Sequence, residues 1–294
     1  MGASIFASQS SSSIANRLSQ ALGTDLRIFD SKLFPDGDSY VRLTERPSTS
    51  EVILVNTLYP NQDKKIIETL LMCDALGRGG VKRITLVSPY LAYTRQDRVF
   101  LEGEAISPRA IGLALKSAGI SRIISVETHS HEAVEALEIQ VTDVKATRPM
   151  VEAITKLPKP VKYIVAPDFK ALRFADEVAK NLNLETFVFS KQRDRTTGEV
   201  SSELVKGHAL NGEPVCIVDD MISTGGSIAN ASIKLKEIGA GPIFAVCVHA
   251  LMVDGASAIL RRSGVEEVWG SDTVENEFTR YSITDELVTA IHGP

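Results

Sequence analysis

Residues Val215-Cys216-Ile217-Val218-Asp219-Asp220-Met221-Ile222-Ser223-Thr224-Gly225-Gly226-Ser227 run from four apolar side chains through two carboxylates into a loop of small residues. No other stretch constrains the fold as tightly. Val215 to Val218 read as a strand buried on both faces, the kind found in parallel sheets covered by helices. Helical spacing begins directly after the loop, with Ile228-Ala229-Asn230-Ala231-Ser232-Ile233-Lys234-Leu235. A strand, a small-residue loop and a helix N-terminus together make an anion site. Glycines let backbone N–H groups approach a phosphate, hydroxyls add donors, and the helix dipole favours negative charge. Asp219 and Asp220, where the strand should end, lie within reach of sugar hydroxyls or a divalent cation. An ordinary glycine-rich turn has no use for two adjacent terminal aspartates.

A chain of 294 residues is long enough for two domains, each with its own core. No apolar run approaches the roughly 20 residues that cross a bilayer, and the start, Met1-Gly2-Ala3-Ser4-Ile5-Phe6, lacks the features of a signal peptide. Cys73, Cys216 and Cys247 sit in apolar surroundings without metal-ligand spacing and read as buried free thiols of a cytoplasmic protein. The net charge of −5 argues against a nucleic-acid partner and gives no general attraction for anions. Phosphate specificity must come from local constellations.

In chain order, Ser4 to Ala7 reads as a first strand, and Ser8 to Ser13 caps a helix through Leu22. Asp36-Gly37 marks a tight turn, with Tyr40 to Leu43 as the returning hairpin arm. Further strands fall at Glu51 to Thr57, Arg83 to Val87 and Arg122 to Glu127. A helix runs from Asp63 to about Leu76, and Ser107-Pro108 starts another as cap and first-turn proline. Past residue 145 the alternation resumes, with strands at Tyr163 to Ala166, Glu185 to Ser190, Val215 to Val218, Ile243 to Val248 and Glu267 to Trp269. A last helix spans Thr284 to about Ile291. Alternating β and α elements argue for two domains, 1–145 and 146–294, each a mostly parallel sheet flanked by helices, with the last helix able to return to the first. There is also an internal echo: Ile84 to Tyr90 resembles Tyr163 to Asp168, and Arg122 to Glu127 resembles Val215 to Asp219.

The other polar clusters follow strands, where α/β folds bind ligands. Tyr93-Thr94-Arg95-Gln96-Asp97-Arg98 offers two arginines, an amide and a carboxylate, and arginine forks suit polyphosphate oxygens. His129 ends a strand beside Glu127 and Thr128; His131 reads as a surface residue. Asp168, Lys170 and Arg173 follow Tyr163 to Ala166. Lys191-Gln192-Arg193 opens a polar loop reaching Glu199. Phe34-Pro35-Asp36-Gly37-Asp38 puts an aromatic and two carboxylates at a hairpin tip.

Val-Asp-Asp-x-x-x-Thr-Gly-Gly-Ser resembles the ribose-5-phosphate loop of type I phosphoribosyltransferases and of ribose-phosphate pyrophosphokinases (PRPP synthetases), and by itself does not separate the two. Tyr-x-Arg-Gln-Asp-Arg looks like the ATP-binding segment of the synthetases, which transferases that only consume PRPP lack. The resemblance covers nearly the whole chain, through six motifs in family order. It implies two tandem type I phosphoribosyltransferase-like domains, ATP-binding over 1–145 and ribose-5-phosphate-binding over 146–294. It also implies transfer of the β,γ-pyrophosphoryl group of ATP to the 1-hydroxyl of D-ribose 5-phosphate, for nucleotide biosynthesis. In that scheme Arg95, Gln96, Asp97 and His129 hold ATP, and His129 and Asp168 take part in binding Mg²⁺. Asp168, Lys170 and Arg173 form the pyrophosphate loop, and Lys191 and Arg193 sit on a mobile catalytic loop. Asp219, Asp220, Ser223, Thr224, Gly225, Gly226 and Ser227 hold ribose 5-phosphate. Phe34, Asp36 and Asp38 hold adenine in a neighbouring subunit, so the resemblance implies a homo-oligomer with shared sites.

The chain departs from the family pattern at Phe169-Lys170-Ala171, where glycines are usual, at Asp38 for glutamate, and at Ser223 for aspartate. The Ser223 form looks more like archaeal members. A PRPP-consuming transferase and a non-catalytic regulatory relative remain as alternatives. The first would need no Arg95-Gln96-Asp97, and the second would be expected to lose His129, Lys191 and Arg193.

Overall fold

The structure, a computed structural model, describes residues 4–193, 200–253 and 255–293, and gives only the backbone of 190–193 and 200–205. The chain divides into two compact units, Met1–Lys145 with Ile283–Pro294, and Ala146–Ser282. In the first unit the elements are β1 (Ser4–Ala7), α1 (Ser12–Leu22), β2 (Leu26–Ile28), β3 (Asp30–Leu33), β4 (Ser39–Arg42), β5 (Glu51–Val55), α2 (Gln62–Arg78), β6 (Arg83–Val87), α3 (Ser107–Ser117), β7 (Ile120–Val126), α4 (His131–Ala136) and β8 (Gln140–Val144). The second unit holds α5 (Thr147–Ile154), β9 (Tyr163–Ala166), α6 (Phe169–Leu182), β10 (Glu185–Arg193), β11 (Val200–Lys206), β12 (Val215–Ile222), α7 (Gly226–Glu237), β13 (Ile243–Ala250), α8 (Ala256–Arg262), β14 (Val265–Ser271) and β15 (Thr279–Tyr281). The last helix, α9 (Thr284–His292), belongs to the first unit.

The first sheet runs β2-β1-β5-β6-β7-β8, parallel throughout. Its inner strands carry buried apolar runs, such as Val52-Ile53-Leu54-Val55, because helices cover both faces. Arg122 ties α9 to this sheet, donating to the carbonyls of Ala290 (2.9 Å) and Gly293 (3.2 Å). The hairpin β3–β4 stands apart as a two-stranded sheet. The second sheet runs β11-β10-β9-β12-β13-β14-β15, with β11 antiparallel to β10 and every other pair parallel.

In each sheet the chain winds outward in both directions from one central pair. Those pairs are β1 with β5 and β9 with β12, and the crevice at their carboxyl ends is where such folds take ligands. This order corrects the internal echo. It equates β1 with β9 and β5 with β12, whereas the similar wording had aligned β6 with β9 and β7 with β12. The equivalent helices α2 and α7 even share a left-handed N-cap, Asn61 at φ 61° and Gly225 at φ 77°. The likeness between strand exits of different rank reflects only the shared chemistry of a buried strand meeting a loop.

Candidate active site

The Asp219–Ser227 stretch sits at the second unit's switch point. β12 does not stop at Val218 but runs on to Ile222, because pairing with β13 continues through Asp219↔Cys247, Met221↔His249 and Ile222↔Ala250. Both carboxylates therefore stand on a rigid strand end. The loop behind them is splinted by the chain after β13: Met252 N–H donates to Ile222 O and Val253 N–H to Ser223 O, both at 3.0 Å. Gly225 then takes φ 77°, where L-residues are strained, and a Cβ there would lie 3.0 Å from Leu260 Cγ. α7 begins at Gly226 with Thr224 and Gly226 exposed, so the first-turn N–H groups open toward solvent, as an oxyanion requires. Ser223 and Ser227 are half-buried on either side.

Asp168 follows β9, next to β12. The residues in place of the family's glycines are helical: Asp168 is the N-cap of α6, and its Oδ1 accepts from Lys170 N–H (3.0 Å) and Ala171 N–H (3.3 Å). The loop read in the sequence is thus a capped helix start, with Lys170 and Arg173 exposed on it. Burial, then the charge of Asp220 and more weakly that of Asp168, push the Asp219 carboxyl well above the usual carboxylate range. Such a pair, costly to ionise without a counter-charge, suits a hard cation. Among the described residues no group of three or more His, Cys, Asp or Glu could hold a metal alone. Magnesium is usually bound by one or two carboxylates together with substrate phosphates, and Asp219 with Asp220 fits that chemistry.

Lys191 and Arg193 lie on β10, paired with Ser202 and Val200 of β11, so the expected loop begins later than read. Their side chains, and all of 194–199, lie outside the described residues.

In the first unit the polar exits of β6 and β7 are tied together. Asp97 is turned inward and almost fully buried: Arg98 Nε donates to its Oδ1 (3.1 Å) and Ser130 Oγ to its Oδ2 (2.5 Å). Arg98, then Ser130, hold its carboxyl below the usual range. Ser130 also caps α4, accepting from Ala133 N–H at 3.1 Å. The segment carrying His129 is held from the other side by Thr128 N–H donating to Asp143 Oδ1 (2.7 Å), with Lys145 bridging Asp143 and Glu127. Arg95 is exposed and makes no ion pair among the described residues. Gln96 is half-buried, its Nε2 donating to Glu104 Oε2 (3.1 Å), and His131 is exposed at the start of α4. Reading the sequence missed Ser130, Asp143 and Glu104; only Ser130 carried a local signal, a serine just before a helical run.

The Phe34–Asp38 turn closes the β3–β4 hairpin as expected, with Phe34 N–H to Asp38 O (2.8 Å), Gly37 N–H to Phe34 O (2.9 Å) and Gly37 at φ 98°. Phe34 is 44% exposed, edge-on to Tyr40 at 5.7 Å, with Lys32 Nζ 5.8 Å from its ring. A cavity of about 510 Å³ in this unit lies at the opposite, amino end of the sheet, lined by Glu51, Arg83, Arg122 and His292 among others, far from these exits.

Two mostly parallel sheets, with a hydroxyl- and glycine-rich loop behind paired carboxylates at the second one's switch point, define a protein of the phosphoribosyltransferase fold. Residues 143–272 match the phosphoribosyl transferase domain, and residues 3–119 match the N-terminal domain of ribose phosphate pyrophosphokinase. The chain is 38% identical to the ribose-phosphate pyrophosphokinase of Sulfurisphaera tokodaii over 92% of this chain and 93% of that one. It is 30% identical to that of Methanobrevibacter smithii over 98% and 99%. The crystal structure of phosphoribosylpyrophosphate synthetase from Mycobacterium smegmatis superposes with a TM-score of 0.83 at 27% identity, covering 99% of this chain and 98% of that one. The chain belongs to the ribose-phosphate pyrophosphokinase family.

Proposed function

We propose that this chain makes PRPP and AMP from ATP and D-ribose 5-phosphate, with the two units dividing the substrates. The observation that carries the reading is the Asp219–Ser227 constellation at the switch point, in a chain whose first 119 residues include the family's own N-terminal domain. A transferase that only consumes PRPP would have no use for that domain.

The anomeric oxygen of ribose 5-phosphate attacks the β-phosphorus of ATP. The bond from that phosphorus to the oxygen bridging the α-phosphate breaks, AMP leaves in line, and the proton of the 1-hydroxyl passes to solvent. Charge grows on the bridging and equatorial oxygens, so positioning and cations do most of the catalysis. The N–H groups of 224–227 and the hydroxyls of Ser223, Thr224 and Ser227 take the 5-phosphate. Asp219 and Asp220 accept from the ribose hydroxyls and offer oxygens to Mg²⁺, which when bound neutralises phosphate charge. Asp168 and His129 contribute to the metal and pyrophosphate surroundings, and Lys170 and Arg173 attract the pyrophosphoryl group. Arg95 and Gln96 contact ATP, whereas Asp97 acts from behind, holding the β6 exit against the segment of His129. Lys191 and Arg193 meet the transferred group.

Phe34, Asp36 and Asp38 present an exposed aromatic and two carboxylates suited to adenine across a subunit interface, so the working enzyme is at least a dimer. Buried free thiols support a cytoplasmic setting, and no described helix is long and apolar enough to cross a membrane. The residue assignment is tested by Asp220→Ala, expected to weaken transition-state stabilisation by about 3 kcal/mol or more. Near-normal turnover at saturating substrates would remove Asp220 from the site.

A further inference from the structure

Three ties run from the exit of β8 to the two residues in front of His129. Glu127 N–H donates to Val144 O (3.0 Å), Thr128 N–H donates to Asp143 Oδ1 (2.7 Å), and Lys145 Nζ donates to Glu127 Oε2 (3.1 Å). Lys145 Nζ also donates to Asp143 Oδ2 (2.7 Å), so one ammonium joins both carboxylates. Those carboxylates are well covered, with 11% and 22% of their side chains exposed, whereas Lys145 is 61% exposed. Partial burial pulls the Lys145 pKa down, but Asp143 and Glu127 more than offset this and hold it above the usual lysine value. Between these ties Glu127 takes φ 39°, the left-handed region that residues other than glycine avoid. Neither glycine nor asparagine stands there to favour it, and such a conformation persists only where the surroundings over-determine it. Beyond His129 the chain is fixed again by Ser130, which donates to Asp97 and caps α4. His129 is thus carried between two clamps, one of them built by β8.

β8 is an edge strand of the first sheet, and none of the residues assigned to substrate lies on it. A charge bridge as open to water as that of Lys145 contributes little to stability. It acts, however, on the turn that aims a site residue, where a displacement near 1 Å costs far more in rate than in stability. We propose that Lys145 is a positioning residue: by joining Glu127 to Asp143 it holds the left-handed turn before His129 and so sets where the imidazole meets ATP. The inference rests on the reading that His129 faces ATP, and it gives the edge strand a part in the reaction without any contact to substrate.

The test compares wild type with Lys145→Met, Lys145→Arg, His129→Ala and the double variant Lys145→Met/His129→Ala, varying ATP and ribose 5-phosphate in turn. Methionine keeps the apolar stem and removes the charge, whereas arginine can still bridge two carboxylates. Lys145→Met should lower kcat/KM for ATP about tenfold, leave KM for ribose 5-phosphate little changed, and move Tm by about 2 °C at most. Lys145→Arg should recover most of that loss. In the His129→Ala background Lys145→Met should cost nothing further, because the group it positions is gone. A tenfold loss that persists without His129 would mean that Lys145 acts through something else, and would overturn the proposal. So would full activity in Lys145→Met, or a rise in KM for both substrates together with a Tm drop of several degrees, the mark of a merely structural brace. If His129→Ala by itself leaves the ATP kinetics unchanged, the proposal falls together with the ATP reading of His129. That single variant separates failure of the reading from failure of the brace alone.

Discussion

The two glycines of the phosphate loop do different jobs, and alanine at each should show it. At Gly225, φ 77° costs an L-residue about 1–2 kcal/mol. The new Cβ would also stand 3.0, 3.2 and 3.4 Å from Leu260 Cγ, Cδ2 and Cδ1, so the leucine must shift, which adds about 1–2 kcal/mol of overpacking. Gly225→Ala should therefore destabilise by about 2–4 kcal/mol and lower Tm by roughly 6–12 °C. The N-terminus of α7 moves with it, and a displacement near 1 Å costs on the order of a hundredfold in kcat/KM for ribose 5-phosphate. At Gly226 the φ is ordinary, and a Cβ would meet nothing closer than Thr224 Oγ1 at 3.8 Å. Gly226→Ala should leave Tm unchanged or slightly raised, since alanine loses less entropy on folding, yet it puts a methyl where the phosphate approaches the backbone. KM for ribose 5-phosphate should rise about tenfold or more, with KM for ATP little changed. Thermal melts and initial rates on both variants decide the matter. If Gly226→Ala binds ribose 5-phosphate normally, the loop is not the phosphate seat. An unshifted Tm in Gly225→Ala would refute the strain reasoning.

Three further outcomes are expected. Because the folded-state pKa of Asp219 is raised, the native state holds more protons than the unfolded state between the ordinary aspartate pKa, about 3.9, and the raised value. Stability without ligands should fall as pH rises through that window; Asp219→Asn should flatten the fall and raise Tm at neutral pH while lowering activity, and a variant melting lower than wild type at pH 7 would count against the repulsion. Lys191→Ala should lower kcat by on the order of a hundredfold with smaller changes in KM, and a change mainly in KM would make it a ground-state binding residue. Phe34→Ala and Lys191→Ala, each nearly inactive alone, should regain activity when co-expressed as a two-fold dimer. Random pairing leaves roughly a quarter of sites intact, and a dead mixed dimer would assign the hairpin to its own subunit.

Where the apolar run stops with the strand and a turn follows, the sequence marked the strand to the residue, as at Arg83–Val87 and Tyr163–Ala166. It fell short where a strand turns polar. β12 was read as ending at Val218 because Asp219 and Asp220 look like loop residues, yet their backbone stays paired with β13. β10 was cut at Ser190 for the same reason, and the half-exposed edge strand β8 was not seen. The phosphate loop was legible because its chemistry is local. The brace of Asp97 by Ser130, 33 residues away, and the clamp of Gln96 by Glu104 were not, because they arise only when separate strand exits and turns fold together.

The most direct measurement follows the phosphorus itself. ATP labelled at the β-position, incubated with the purified chain, Mg²⁺ and ribose 5-phosphate, should yield unlabelled AMP and a PRPP that carries the label, in equal amounts. Release of labelled ADP would mean transfer of the γ-phosphate alone, and no label in a ribose product would mean no pyrophosphoryl transfer; either result contradicts the account.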